Sequence, residues 1–347
     1  MTTNRILLAI LASFLVINMA MADDIALKED HPDRYVVVKG DTLWDISARF
    51  LETPWRWPEV WSFNPQIKNP HLIYPGDVVS LVYDEFGKPM LKVERGQPTL
   101  KMAPQVRAER VDAPIQTIPL NAIQQFLGQP RVITDREIKN SAYIIATEDA
   151  RLIAGEGDTI YVRGIIESDD VKYSILRIGK TYKDPDTKKK LGYEAIHVAD
   201  AFVKEFGDPA TLVLSDSLRE TMVGDRVVPL RPDSIDQTFI PHAPEIPVDG
   251  KIISIVDGVA RVGRYQTIVI NRGEREGIET GHVLAVYQSG GTVRDRSKGA
   301  VSSKVTLPDI KAGIILVIRA YEKVSYALVM ESEFDMKLYD FVRNPTK

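Results

Sequence analysis

The chain has no cysteine. Disulfides, thiolate metal ligands and cysteine nucleophiles are excluded together, so burial of apolar surface has to stabilise the fold. Histidine is sparse, with His31, His71, His197, His242 and His282 scattered through 347 residues. None stands at zinc-ligand spacing from another histidine or an acid in the manner of His-Glu-x-x-His. A Gly-x-Ser-x-Gly elbow and a Ser-x-x-Lys pair are missing, and no glycine loop enters a helix in a way that would cradle phosphate. Carboxylate pairs such as Asp169-Asp170 and Glu331/Glu333 are plentiful, but they read as solvated faces, because paired carboxylates do acid–base chemistry only where a pocket shifts one pKa. The expectation is therefore no metal, no cofactor and no catalytic residues. Positive charge is not in excess either: 44 Lys and Arg face 48 Asp and Glu, a net charge of −4. That balance argues against a nucleic-acid partner, which would need a basic stripe.

Tryptophan is rare but concentrated. All four, Trp44, Trp55, Trp57 and Trp61, fall between Tyr35 and Val82. The stretch reads as strand, helix, helix, strand. Tyr35 to Val38 is β-branched, and Lys39-Gly40-Asp41 is a turn. Thr42-Leu-Trp-Asp45 has the spacing of a capping box, and Leu43, Ile46 and Phe50 then recur at helical spacing. Pro58 suits the first position of a second helix, which Asn64-Pro65 stops. Pro75-Gly76 turns the chain into a last strand, Val78 to Val82. Trp44, Trp61 and Tyr35 read as core, since a unit this small needs large side chains to bury enough area. Trp55 and Trp57 suit core or contact equally.

Gly40-Asp41-Thr42-Leu43-Trp44, Asn64-Pro65, and Asn69-Pro70 through Ile73-Tyr74-Pro75-Gly76 resemble the LysM family. LysM modules are small βααβ units that bind the N-acetylglucosamine part of peptidoglycan and chitin. The resemblance implies a shallow groove between the loop after the first strand and the loop before the last. Gly40, Asp41, Thr42 and Leu43 would line one side, and Leu72, Ile73 and Tyr74 the other. The physics suits an N-acetyl sugar, which offers an amide to loop backbone and an apolar face to side chains. Glu52 to Trp57 departs from the pattern as an aromatic insert between the helices.

Ahead of this module, residues 1–22 read as a signal peptide. Arg5 supplies the charge, Ile6 to Ile17 the apolar run, and Ala20-Met21-Ala22 the small-x-small cleavage site. The run is short for a membrane span, and a chain without cysteine offers no lipoprotein cut. The expectation is a soluble exported protein cleaved near Ala22.

The module should occupy residues 33–84. Residues 95–119 carry Pro98, Pro104, Pro114 and Pro119 and read as a linker, with a short helix expected from Asn121 to Leu127. Strand-like segments then fill a β-rich unit at 120–230. Lys183 to Lys190 reads as a polar turn whose lysines form a solvated tip. A second proline-rich linker, 231–247, leads to a β-rich unit at 248–345. The plan appears twice: Gln266 to Gly273 matches Asp158 to Gly164, His282 to Val286 matches Tyr173 to Arg177, and Tyr339 to Arg343 matches Gly224 to Val228. The offset runs from 108 residues (Asp158 to Gln266) to 115 (Gly224 to Tyr339). The expected fold class is α+β and multidomain, a βααβ module followed by two barrel-like β units.

Ile270-Asn-Arg-Gly273, Gly277-Ile278, Gly281 and Val286 resemble the C-terminal domain of the flagellar assembly protein T family, where such glycines mark turns between barrel strands. Signal peptide, single LysM unit and β-rich tail together resemble the type IV pilus secretin-associated proteins of Gram-negative bacteria. That resemblance implies a non-catalytic periplasmic protein, bound to peptidoglycan and anchoring an outer-membrane secretin complex. One shallow groove should bind weakly, so several copies in a ring around the secretin are expected. The competing readings are a peptidoglycan hydrolase or hydrolase activator targeted by LysM, and a flagellar or other envelope assembly factor.

Overall fold

The computed structural model describes residues 25–61, 73–95, 115, 118, 131–167, 169–230, 239–256, 261–295 and 303–346. The signal-peptide reading, the Asn121 to Leu127 helix, Asn64-Pro65 and nearly all of the 95–119 linker lie outside these residues. The chain divides into two compact units, Met1–Pro114 (with Lys347) and Ile115–Thr346.

In the first unit, strand β1 (Arg34–Val36) and strand β2 (Val78–Tyr83) pair antiparallel with Tyr35 opposite Val79. Helix α1 (Leu43–Phe50) begins where the apolar 3.6 period begins and buries Leu43, Trp44, Ile46, Ser47 and Phe50. Its N-cap is Thr42, whose Oγ1 accepts the Asp45 amide at 3.1 Å. The box is not closed: the shorter Asp45 side chain accepts from the Thr42 hydroxyl instead, at 2.7 Å. A 3-10 turn, Pro54–Arg56, feeds directly into helix α2 (Trp57–Trp61). All four indoles are buried, at 0, 7, 2 and 5% exposure in chain order, so Trp55 and Trp57 of the insert belong to the core. A third strand, β3 (Pro89–Glu94), follows β2 across the turn at Asp84 and pairs with it, Leu81 opposite Leu91. The βααβ pattern is therefore extended by one strand. The segment at 25–28 also closes onto the end of α1, with Leu27 bridging Leu51.

The second unit holds two closed six-stranded barrels. It starts with strand β4 (Arg131–Ile133) and helix α3 (Asp135–Asn140). Sequence reading missed α3, although Thr134-Asp-Arg-Glu137 forms a complete capping box, the longer Glu137 reaching back to the Thr134 amide at 2.8 Å. The first barrel contains β5 (Ala142–Thr147), β7 (Thr159–Arg163), β8 (Lys172–Lys183), β9 (Lys190–Glu205), β10 (Ala210–Ser215) and β12 (Arg226–Pro229). A two-stranded ribbon, β6 (Ile153–Ala154) with β11 (Thr221–Met222), accompanies it. The ring closes because β9 is long: one part pairs with β4 while another pairs with β10. Burial alternates strictly along β10, as a strand with one face inward requires.

The second barrel contains β13 (Asp249–Ile255), β15 (Thr267–Ile270), β16 (Val283–Gln288), β19 (Ile310–Ala320), β20 (Ser325–Ser332) and β22 (Phe341–Arg343). Its ribbon is β14 (Arg261–Val262) with β21 (Met336–Lys337). A separate hairpin, β17 (Thr292–Asp295) with β18 (Ser303–Thr306), lies in the chain between β16 and β19. Around the first ring the order is β5-β12-β8-β9-β10-β7, and around the second β13-β22-β16-β19-β20-β15. Taken in chain order these are the same topology, ribbon included. The internal repeat read from sequence is thus a repeat of fold, with β7 matching β15, β8 matching β16 and β12 matching β22. The chain is multidomain and mostly β; α-helix is confined among the described residues to α1, α2 and α3. The α+β description holds for the first unit only.

The barrels are joined by the β8–β9 hairpin. Asp184 at its tip is buried and accepts the Asn271 side-chain amide at 2.7 Å. Lys251 bonds Asp186 at 2.6 Å, and the buried Tyr182 and Tyr326 hydroxyls lie 3.2 Å apart. Burial holds both phenols well above their ordinary pKa, so they stay protonated. The lysines of the tip are exposed, as the sequence led one to expect. Its carboxylates face the second barrel. Of the 231–247 segment, residues 239–247 run along that barrel: Phe239 is buried, and the Asn344 side chain donates to the Pro244 and Ile246 carbonyls at 3.1 and 3.0 Å.

Candidate functional site

Two glycine turns lie side by side in the first unit. The Val37 amide donates to the Asp77 carbonyl and the Gly76 amide to the Val37 carbonyl, both at 2.8 Å. Each turn is built the same way, a glycine at positive φ followed by an aspartate that closes the loop. Gly40 has φ +99°, and Asp41 Oδ2 accepts the Val38 amide at 2.9 Å and the Tyr35 hydroxyl at 2.8 Å. Gly76 has φ +96°, and the buried Asp77 accepts the Tyr74 amide at 3.1 Å and Arg95 Nη1 at 3.0 Å. Only glycine adopts such φ values readily, so both turns are fixed by backbone and not by side-chain packing. Burial and the Asp41 bond hold the Tyr35 phenol above its ordinary pKa, and Arg49 stacks on its ring at 4.3 Å.

The residues read from sequence as lining the groove sort into two sets. Gly40 is exposed, and Asp41 and Tyr74 are half-buried. Thr42, Leu43 and Ile73 are buried, at 3, 0 and 0% exposure. Thr42 caps α1 and the other two are core. Leu72 lies outside the described residues. The surface these loops offer is thus made of main chain around Gly40 and Gly76, the Asp41 carboxylate, and the Tyr74 ring backed by Arg95 at 5.1 Å. It combines peptide groups with one aromatic face, which suits a neutral polar ligand with an apolar side. Sequence reading missed Asp77 and Arg95, the pair that sets Tyr74. Asp77 had a signal, since Gly76-Asp77 repeats the Gly40-Asp41 pair.

Elsewhere, Ser174, His197 and Asp200 form the most enzyme-like cluster. Ser174 Oγ and His197 Nε2 both reach Asp200 Oδ1, at 2.7 and 2.9 Å. Burial alone would raise the Asp200 pKa, but the bonds from His197 and Ser174 pull it below the usual carboxylate value. The carboxylate stands between hydroxyl and imidazole. A nucleophilic triad needs the imidazole in that place, to take the serine proton. Among the described residues, one group of metal-capable side chains converges: His242, Glu279 and His282, in the second unit.

The first unit is therefore a small sheet-and-helix binding module that presents its ligand surface on two loops fixed to a rigid scaffold. Residues 35–81 match the LysM domain family, and the chain carries a LysM domain there. LysM domains bind peptidoglycan glycan containing N-acetylglucosamine, which points to peptidoglycan binding and to an extracytoplasmic, cell-wall-associated protein. No curated protein matches the chain. The resemblances to the flagellar assembly protein T C-terminal domain and to pilus secretin-associated proteins find no support in these comparisons.

Proposed function

We propose that the protein is a non-catalytic, periplasmic peptidoglycan-binding protein that anchors an outer-membrane secretin of a type IV pilus to the cell wall. The observation that carries the wall-binding part is the LysM domain at residues 35–81. The anchoring part rests on the layout: one binding module, then two barrels of the same topology held together through Asp184, Asn271 and the Tyr182–Tyr326 pair. Such a tandem presents a large preformed surface to a protein partner, the usual requirement for a stable complex. The position of Asp200 between Ser174 and His197 speaks for a non-catalytic role. A single shallow groove gives weak attachment. Several copies in a ring around a symmetric secretin raise the effective concentration of grooves at the wall.

Incubating the purified protein with peptidoglycan, then assaying both pelleting and released muropeptides, tests the wall-binding part. Pelleting without release is expected, and pelleting should vanish when residues 35–82 are deleted while circular dichroism still reports the folded tail. Release of muropeptides would replace this reading with a hydrolase. For the partner, capture from envelope extract should retain a secretin; retention of flagellar ring components in its place would make the protein a flagellar assembly factor.

A further inference from the structure

Two of the five histidines, far apart in sequence, meet at the edge of the second barrel. The segment leading into that barrel passes the turn before β16, and the main chain fixes the crossing. The His242 amide donates to the Gly281 carbonyl at 3.1 Å, and the Val283 amide donates to the His242 carbonyl at 2.8 Å. The two imidazoles sit edge to face, with centroids 4.7 Å apart. Glu279 joins them through the turn itself: the His282 amide donates to the Glu279 carbonyl at 3.2 Å, across Gly281 at φ +97°. The candidate donor atoms of the three side chains all lie within 4.8 Å of one another.

The hydrogen bonds settle which nitrogens carry lone pairs. His242 Nδ1 lies 3.0 Å from the Ile240 carbonyl, so it is the protonated nitrogen and Nε2 holds the lone pair. A backbone carbonyl on the far nitrogen is the usual outer support of a metal-bound histidine. His282 Nδ1 accepts the Glu279 amide at 3.1 Å, so the ring is neutral with its lone pair on that side. His282 is buried and anchored in the barrel, whereas His242 and Glu279 are exposed. Closing the set around an ion needs donors about 3.4 Å apart, from metal–donor bonds near 2.1 Å in a tetrahedron. Movement of the exposed Glu279 and His242 side chains has to supply that contraction, and an ion on His282 Nδ1 displaces the hydrogen bond from the Glu279 amide.

We propose that His242, Glu279 and His282 bind a divalent transition ion with the ligand preference of zinc, and that this ion clips the incoming segment to the second barrel. Two imidazoles and one carboxylate suit such an ion and not calcium or magnesium, which take all-oxygen sets. Three protein ligands leave a fourth position to water. The bound ion joins residue 242, on the strap from the first barrel, to residues 279 and 282 of the second. It therefore strengthens the tandem.

The test is titration of the untagged, chelator-stripped protein with zinc chloride, by calorimetry and by competition with a chromogenic chelator. One ion per chain is expected, with no competition from millimolar magnesium. His242→Ala should weaken binding by more than the ten- to hundred-fold typical of losing an outer-sphere partner, and Glu279→Gln should weaken it less. Zinc should raise the unfolding temperature of the parent and leave that of His242→Ala unchanged. His242→Gln, which keeps a polar side chain at the exposed position, provides a second folded variant. Absence of stoichiometric binding, or equal affinity in the parent and both His242 variants, would overturn the proposal and leave the two rings as simple packing partners.

Discussion

Replacing Asp184 with asparagine tests whether the barrels act as one body. Asp184 divides its work between two oxygens. Oδ1 accepts from the Thr187 amide, the Thr187 hydroxyl and the Asp186 amide at 2.7, 3.0 and 3.1 Å, which builds the hairpin tip. Oδ2 accepts the Asn271 side-chain amide at 2.7 Å, which joins the barrels. Asparagine can keep the first set with its own oxygen, but its NH2 then faces the NH2 of Asn271. Asn271 cannot rotate to relieve this, because its Oδ1 already accepts the Lys251 amide at 2.6 Å. One charge-assisted bond is lost and two donors are opposed, which should destabilise the second unit by about 1.5–3 kcal/mol. Urea unfolding followed by circular dichroism reads the barrels, while tryptophan fluorescence reads the first unit, where all four indoles lie. The sign of the acid dependence provides a second check. Burial would raise the Asp184 pKa, yet the Thr187 amide and the Asn271 amide bring it from 3.8 down to about 2. A carboxylate with a depressed folded pKa stabilises the fold above its unfolded value and loses that contribution as pH falls through the folded one. The parent should therefore weaken between about pH 4 and pH 2, and Asp184→Asn should weaken less over that window. A loss below about 0.5 kcal/mol, or an unchanged acid profile, would refute a role for this carboxylate in joining the barrels.

Further outcomes follow from the same bonds. Thr42→Ala should destabilise the first unit by about 1 kcal/mol through loss of the α1 cap, read by tryptophan fluorescence, with Thr42→Ser recovering most of it. Tyr74→Ala should reduce peptidoglycan pelleting without shifting that unfolding transition, since Tyr74 is half-buried and outside the core. Arg177→Met should cost the second unit about 2–3 kcal/mol in urea unfolding, because it removes the bonds at 3.0 and 2.7 Å that Arg177 donates to Asp225, 5% exposed, and leaves that carboxylate the Met222 amide at 2.9 Å. Gly273→Ala should be destabilising by about 3 kcal/mol or more in the same assay, since its Cβ would fall 2.1 Å from the Tyr321 carbonyl oxygen.

Local signals in the sequence determined the elements whose cause is local. A threonine cap before Leu43, Ile46 and Phe50 makes α1, and glycine followed by aspartate makes a closed turn. That turn recurs at Gly157-Asp158 and Gly224-Asp225, with φ of +85° and +92°, where the aspartates accept the Gly155 and Met222 amides at 2.8 and 2.9 Å. The first of these turns runs straight into β7, which starts at Thr159. The repeat of strands was legible because each barrel uses the same order of lengths and turns. Gly273 was legible as structural, though the reason differs from the one read: its φ is −143°, and it is needed where the chain passes the Tyr321 carbonyl.

Tertiary structure alone decided what depends on distant residues meeting. Burial turned Thr42, Leu43 and Ile73 inward and left Gly40, Asp41 and Tyr74 at the surface, a division that periodicity cannot give for loops. The pairing of Asp184 with Asn271, of Tyr182 with Tyr326, and of His242 with His282 arises from barrel closure. Strand hydrogen bonds fix register and position across long loops, and no short window of sequence records which strand lies beside which.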